Sequence, residues 1–474
     1  MVLYQNRVEK SIAIYELTVG FFCRLSRETG PCPIPVAKLS RAQPIVVLRG
    51  ILIKRRKEFP YMKRLLCILF AVLLFAACAV KTVPSANSGA ESTEKPLVLS
   101  EFPVPEITGY ADFSDVLSAK LINGTENQNL SPISIYLALA MTAEGAEGKT
   151  KDAMLKLLGC KGFEELRAVC GGMLEKLSID SEYSTLAIAD SIWTRKDVVL
   201  HEAYRNVLAD AYRSEANSVN FGTADASKRI AKWIGTHTHD KIKISPDALQ
   251  FDSDTVAVLI NTIYLKDAWR DEFWKSRTET GTFFGLDGEQ NVRYMYRRDE
   301  SASIVQGDGF TRYSLPLLRV GRMTFVLPDE GTPLSALLGT PEKLRALLND
   351  GEAIKANVNV KLPKFEFQDR FDLEDALQSL GIGIAFTGEA DFSGMCDHGV
   401  SISKVLQESY IGVDENGVEA AAYTMVAMDE SAPMPEDLPE IDFFLTRPFL
   451  FVIEGRDGTA LFIGTVTEPT PADQ

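Results

Sequence analysis

The sequence predicts an α+β fold built around large β-sheets, and three observations carry that reading. Helical patterns crowd the first part of the body, and strand patterns dominate its C-terminal end. Neither an internal repeat nor a regular β–α alternation connects them, which excludes doubly wound and solenoid architectures. The 474 residues are 46% hydrophobic and 24% charged, the balance of a globular chain. The formal charge is −15. Residues 1–77 hold 13 basic and 4 acidic side chains, so the rest of the chain is more acidic than the total suggests. No basic stripe offers a nucleic-acid partner.

The elements follow in order. In "NLSPISIYLALAMTAEGAEGKTKDAMLKLLG" (129–159), Ser131 is placed to cap a helix that has Pro132 at its first position. Apolar residues cover every face of that helix from Ile133 to Met141, so it is expected inside the protein. Ser134 then needs an internal partner. "AEGAEGKT" breaks it ahead of a second, amphipathic helix. "YSTLAIADSIWTR" (183–195) reads as a strand and "RIAKWIGTHTHDKI" (229–242) as a helix. "TVAVLINTIYLKDAW" (255–269) reads as a central strand carrying a buried Asn261. Residues 322–330 and 356–367 are further strands, and 372–382 a helix. "DFFLTRPFLFVIEG" and "TALFIGTVTEP" are two final strands joined by the turn "RDG".

The front of the chain reads as an export signal. "MKRLLCILFAVLLFAACAV" begins at Met62 with Lys63 and Arg64, continues with an apolar core ending at Phe75, and reaches "AAC" at Cys78. The core is too short for a comfortable membrane span. The pattern resembles a bacterial lipoprotein signal, which implies a peptide at 62–77 and lipidation of Cys78. Residues 1–61 are expected to be upstream sequence, with translation starting at Met62. Residues 78–104, rich in Ser, Pro and small side chains, are expected to tether the lipid to a body at 105–470. The expected location is the cell envelope, lipid-anchored at the outer membrane or cell surface and facing away from the cytoplasm. After Cys78 only Cys160, Cys170 and Cys396 remain, which makes no disulfide framework.

Catalytic constellations are weak. Four histidines exist in the chain. His237 and His239 in "THTHD" diverge at a helix end and make a poor metal pair. "DFSG" (391–394) lacks the glycine two residues before the serine that a nucleophile elbow needs. Phosphate-loop, zinc-protease and dinucleotide motifs are missing. No metal, no cofactor and no enzyme activity are expected.

The residues that carry the argument further are "ENGVEAAAYTMVAMDESAPMPEDLP" (415–439). Written as a strand, one face reads Val418, Ala420, Ala422, Thr424, Val426 and Met428, without a charge. Small side chains can enter an existing sheet without overpacking it. Gly417 supplies a hinge. Beyond Glu430 the segment turns acidic and carries Pro433, Pro435 and Pro439, which cannot donate ladder hydrogen bonds and belong outside. This describes a loop whose first half becomes a strand once its far end is cut. About a dozen inserted residues gain on the order of 10 kcal/mol from hydrogen bonds and burial. A fold that withholds that energy is kinetically trapped.

The chain resembles the serpins over about residues 105–470. The blocks that match, in family order, are "NLSPISIYLALAMTAEGAEGKT", "VNFG" (219–222), "INTIYLKDAWRDEF" (260–273), "LPKFEF" (362–367), "ADFSGM" (390–395), "VDENGVEAAAYT" (413–424), and "RPFLFVIEG" with "LFIGTVTEP". The resemblance implies a serpin fold: a large central, mostly antiparallel sheet, further sheets, about eight to nine helices and an exposed reactive-centre loop at about 415–440. It implies a hinge from Glu415 through Gly417, Val418, Glu419, Ala420, Ala421, Ala422, Tyr423 and Thr424. It implies a shutter of Ser131, Ser134, Asn261 and Gln407 beneath the opening sheet, and a breach near Trp269 and Lys364 where insertion starts. Gln407 stands where the family carries a histidine, which removes that group's pH sensitivity. Val418 replaces a threonine of similar shape, and Tyr423 stands where a small residue is usual.

The activity implied is suicide inhibition of serine endopeptidases, with cysteine endopeptidases as a further class. Candidate residues before the scissile bond are Met428, Ser431, Ala432, Met434 and Leu438. Counting forward from Gly417 favours Ser431, while counting back from "RPFLF" reaches Asp437, so the loop is longer than usual. Lys and Arg are missing between Lys404 and Arg447, which excludes trypsin-like targets and favours elastase-like or subtilisin-like ones. A monomer is expected, with no heparin-type site and no membrane contact beyond the lipid. The alternative function is a non-inhibitory serpin acting as a binding protein or protease substrate, supported by Tyr423 and the long loop. A secreted hydrolase is the third reading.

Overall fold

The computed structural model describes residues 106–419 and 438–472. Cys78, the proposed signal and tether, Ala420 to Thr424 of the hinge, and the bond candidates Met428, Ser431, Ala432 and Met434 lie outside the described residues.

The N-terminal part of the body is mainly helical. Helix α1 (Tyr110–Leu121) leads through strand β1 (Gln128–Leu130) into α2 (Pro132–Ala143), α3 (Gly148–Leu157) and α4 (Phe163–Leu177). Strands β2 (Ile179–Asp180) and β3 (Thr185–Arg195) follow, then α5 (Glu202–Tyr212), β4 (Glu215–Val219), α6 (Ala224–His237) and β5 (Ala257–Ala268). Strands then dominate: β6 (Glu279–Gly285), β7 (Gly288–Gly307), β8 (Phe310–Pro316) and β9 (Gly321–Pro328), with α7 (Pro341–Asn349) before β10 (Glu352–Pro363) and β11 (Phe365–Asp372). A short α8 (Glu374–Leu377) precedes β12 (Lys404–Val413), β13 (Gly417–Val418), β14 (Glu440–Phe444), β15 (Phe449–Gly455) and β16 (Ala460–Val466).

The expected helices and strands are present, with four differences. The strand expected over 356–367 is divided at Lys364 into β10 and β11, which lie in different sheets, and the run "DFFLTRPFLFVIEG" is divided into β14 and β15, which are not neighbours. The helix expected over 229–242 starts earlier and ends at His237, because His239 and Asp240 take left-handed backbone angles and reverse the chain. The helix expected over 372–382 is one turn of α8 that widens and breaks at Gly381, where φ is 105°.

Two sheets form. The first runs β1-β16-β15-β9-β8-β7-β10-β14, with β6 beside β7. The second runs β11-β12-β13-β5-β3-β2, with β4 beside β3. This second sheet is antiparallel at β11–β12 and β3–β5, but parallel at β12–β5 and β3–β4. Helix α2 is buried along its whole length and lies against one face, touching β5, β3 and β16. It joins the main core with Leu259, Ile263, Phe451 and Val452. Helix α6 covers the other face through Ile230, Trp233 and Ile234, packed on Val258, Ile260 and Leu406. The period-2 alternation of β5 explains both contacts, because odd-numbered residues face α2 and even-numbered ones face α6.

Candidate functional site

The seam between β5 and β12 is the unusual feature of this sheet. The two strands pair in parallel only from Lys404↔Val258 to Glu408↔Thr262. Above that, the upper residues of the two strands form no pairs with each other. At the top, β13 turns back from β12 and enters between them, antiparallel to both, with Val418 opposite Val413 on one side and Asp267 on the other. Two parallel strands with a gap between them are the arrangement that an antiparallel strand can complete.

A buried amide closes the lower half. Asn261 on β5 donates through Nδ2 to the Ser134 carbonyl at 3.0 Å and to Asp190 Oδ1 at 2.5 Å. Its Oδ1 accepts from Gln407 Nε2 at 3.1 Å and from the Ser134 hydroxyl. Both donors and both lone pairs of this amide are therefore committed. Gln407 also accepts from the Ser131 N–H at 2.8 Å and donates to the Ser131 carbonyl at 2.9 Å. The four residues expected to act together, Ser131, Ser134, Asn261 and Gln407, thus form one network between α2, β5 and β12, and all are buried. Ser131 does not cap α2: its hydroxyl donates to the Leu461 carbonyl at 2.8 Å, a tertiary partner that outcompetes the local one.

Asp190 is the member that sequence reading missed. It lies on β3 directly opposite Asn261, 5% exposed. Burial pushes its carboxyl up to about 7, with the Asn261 hydrogen bond acting the other way. A second buried carboxylate, Glu408, follows Gln407 but faces α6. Burial pushes it up to about 7 as well, against the pull of Arg370 at 3.5 Å. The signal for Asp190 was available: it stands in phase with Leu186, Ile188 and Ile192 on one face of its strand.

The upper mouth is held by the hinge. Trp269 is fully buried, and its Nε1 donates to the Asp414 carbonyl at 2.9 Å. The Trp269 N–H reaches the Asn416 carbonyl at 2.9 Å, and the Phe273 N–H reaches that of Glu415 at 3.1 Å. Lys364 Nζ lies 3.0 Å from Glu415 Oε2, and Thr278 Oγ1 donates to Oε1 at 2.7 Å. Burial works to raise the Glu415 carboxyl, but the Thr278 and Lys364 hydrogen bonds hold it below the ordinary range. Trp269 and Lys364 therefore both hold the 414–416 segment, with Thr278 as a further partner that the sequence did not mark. Gly417 has φ of 154°, and a Cβ there would stand 2.2 Å from the Asp267 carbonyl oxygen. Val418 is 2% exposed. Beyond it, the Glu419 N–H donates to the Gly412 carbonyl at 2.8 Å. Gly417 and Val418 thus already lie inside the sheet, whereas the sequence reading expected this segment to enter only after cleavage.

Leu438 is half-buried just ahead of β14, and the next carbonyl, Pro439, accepts from the Asn357 N–H at 2.9 Å. Among the described residues no group of three or more His, Cys, Asp or Glu could hold a metal ion, and no helix is long and apolar enough to cross a membrane. His237 hydrogen-bonds the Trp233 carbonyl while the His239 ring packs on Tyr264, so the two do not converge. Cys160, Cys170 and Cys396 are free thiols.

A family profile described as "Serpin (serine protease inhibitor)" matches residues 108–469. An uncharacterized serpin-like protein of Thermococcus kodakarensis is 33% identical over 381 residues, covering 77% of this chain and 86% of its own. Serpin-Z1B of Triticum aestivum is 29% identical over 377 residues, covering 75% and 93%. The crystal structure of the thermophilic serpin Tengpin in its native state superposes with a TM-score of 0.67 at 30% identity, covering 78% of this chain and 96% of that one. Thyroxine-binding globulin in complex with thyroxine shares the fold at 23% identity and a TM-score of 0.65, covering 76% and 99%.

Proposed function

The chain belongs to the serpin family, and from that premise we propose that it is a suicide-type inhibitor of serine endopeptidases, elastase-like or subtilisin-like rather than trypsin-like. Serpins are in the main protease inhibitors and not enzymes. The single observation that supports this reading most is the wedge of β13 in the open upper half of the β5–β12 seam. Its register can be continued. Val418 stands opposite Asp267 and Val413; six residues on, the same antiparallel count brings Thr424 between Asn261 and Gln407. Those two are themselves paired across the seam. Both partner strands give the same answer for this residue, so the slot and the hinge share one register. Small residues at 420, 421 and 422 suit the passage.

In this reading the protease serine attacks the carbonyl carbon of the bait residue, the peptide C–N bond breaks, and the proton passes to the departing amine. The acyl-enzyme ester is then carried with the loop as it inserts, before water can complete hydrolysis. The same steps through a thioester serve cysteine endopeptidases. The inhibitor contributes stored folding energy and no catalytic group, so it needs no metal or cofactor. The tie of Pro439 to β10 favours a bond upstream, at Met428, Ser431, Ala432 or Met434 rather than at Leu438.

A second reading, a non-inhibitory binding protein or substrate, draws on Tyr423. The register puts it beside Thr262 and Glu408, on the face already covered by α6, where a ring needs more room than alanine. The proposal also includes a start at Met62, a signal at 62–77 and a lipid on Cys78 that holds a monomeric body at the cell envelope. Cys78→Ser should release the protein from membranes.

The test mixes the purified chain with pancreatic elastase, subtilisin and trypsin. Expected are complexes that survive boiling in SDS with the first two and none with trypsin. Cleaving the loop should raise the melting temperature by about 10 °C or more, from on the order of 10 kcal/mol of added pairing. Thr424→Arg should be cut without forming a complex or gaining stability. Cleavage without complex in the parent chain supports the second reading. A cut chain no more heat-resistant than the uncut one sinks insertion altogether.

A further inference from the structure

Past Val418 the chain does not simply leave the sheet. Glu419 takes a left-handed backbone, φ 49°, which a glutamate adopts only when something holds it there. Its side chain is 8% exposed and lies on the α6 face of the seam. Oε1 receives Lys241 Nζ at 2.9 Å and the Tyr264 hydroxyl at 3.3 Å, while Oε2 is buried without a hydrogen bond. Burial holds this carboxyl above its ordinary range, with Lys241, Tyr264 and His239 pulling the other way.

Lys241 is itself held in place. It follows the reversal at His239 and Asp240 that ends α6. The Lys241 N–H donates to the Thr238 carbonyl at 2.9 Å, and its own carbonyl accepts from Gln368 Nε2 on β11 at 2.9 Å. The ammonium also lies 5.5 Å from the centre of the Tyr410 ring on β12. The Lys241 backbone is therefore fixed by α6 and β11 independently of the hinge, and its ammonium reaches over the seam beside the Tyr410 ring of β12. A carboxylate buried this far is stable only beside such a charge.

We propose that Lys241, supported by Tyr264, is a positioning residue for inhibition: it captures Glu419 before cleavage and fixes the side and register on which the loop enters the sheet. This rests on the inhibitory reading above. Strand alternation gives the physical reason. With Glu419 pinned on the α6 face, Val418 and every second residue after it must face α2, and a slip of one residue would bury the carboxylate against the α2 core. Without the pin, the hinge must find its register during the short life of the acyl-enzyme, and more chains end as cleaved substrate.

The test needs a readout that works without a protease. Val418→Cys is made in three backgrounds: the parent chain, K241E, and the charge swap K241E/E419K. Labelling of the introduced thiol by a water-soluble maleimide, counted above the labelling of the matching chain that keeps Val418, reports whether the hinge is docked. Labelling is expected to be at least about tenfold faster in K241E and to return towards the parent rate in the swap. In chains keeping Val418, the moles of inhibitor consumed per mole of elastase should rise and fall in the same order. Should K241E fail to fold, K241M removes the charge at similar length and must also speed labelling. Equal labelling in all backgrounds, or a swap that does not restore protection, overturns the proposal. If the parent chain forms no SDS-stable complex, the inhibitory reading fails by itself, and labelling still decides whether Lys241 docks the hinge.

Discussion

Up to and including Thr262 and Glu408 the seam between β5 and β12 is zipped by five residue pairs and bolted by the saturated amide of Asn261; above them the two strands stand apart, and the two residues of β13 fill the top. The lower half is held by side-chain hydrogen bonds to a buried helix. The upper half is held by backbone pairing and by two carboxylates, Glu415 and Glu419, each met by a lysine. One sheet is thus kept shut and kept ajar along the same line. The difference teaches where closure is decided: the lower seam adds a side-chain network at one level, Asn261 with Gln407, Ser134 and Asp190, that the upper seam lacks.

The largest way to break this contrast is Asn261→Ala. It leaves Gln407, Ser134 and Asp190 with unmet bonds in the interior, at a cost of about 3 kcal/mol or more. The uncut form should melt several degrees lower, measured by calorimetry, with a smaller effect on the cut form. An equal loss in both forms would show that the amide supports the fold rather than the closure.

Asp190→Asn sharpens the comparison from the other side. Asp190 titrates near 7 in the fold, above the ordinary carboxyl range. Its contribution is therefore full below about pH 4, lost progressively as pH rises to 7, and absent above. The amide carries no such penalty and can still accept from Asn261. The variant should match the parent in acid and exceed it by about 2–4 kcal/mol at pH 8, seen in denaturant unfolding at both pH values. A constant gap at all pH values would refute the assignment.

The smallest effect is expected at the mouth. Lys364→Ala removes one partner of Glu415, whose other partner, Thr278, remains. Lys364 is partly exposed, so the loss should be about 1 kcal/mol. Glu415 sits below its ordinary range, so its stabilisation is present above that range and fades in acid. The gap between variant and parent should close as pH falls towards 3.

Much of this was legible in the chain itself. Ser134 and Asn261 stood out as polar residues in unbroken apolar runs, a pattern that demands internal partners, and both have them. Gly417 and the alanines after it read as a strand of small residues, and Gly417 and Val418 are paired with β5. Ser131 misled, because a local cap and a distant carbonyl compete for one hydroxyl and sequence ranks only the local partner. Lys241 was out of reach for a related reason: it is fixed by contacts to β11 and β12 more than a hundred residues away, and nothing near it in the chain marks it. Asp190 was within reach, because it stands in phase with the apolar Leu186, Ile188 and Ile192 of its strand.

Gly417 sets the bore of the mouth. With the Asp267 oxygen 2.2 Å and the Ala268 Cα 2.7 Å from where a methyl would sit, position 417 admits bare peptide and nothing thicker. The fit at this point is set by shape alone, indifferent to salt and acidity, and one added carbon on residue 417 would press on the backbone of β5 while leaving the Asn261 network beneath it untouched.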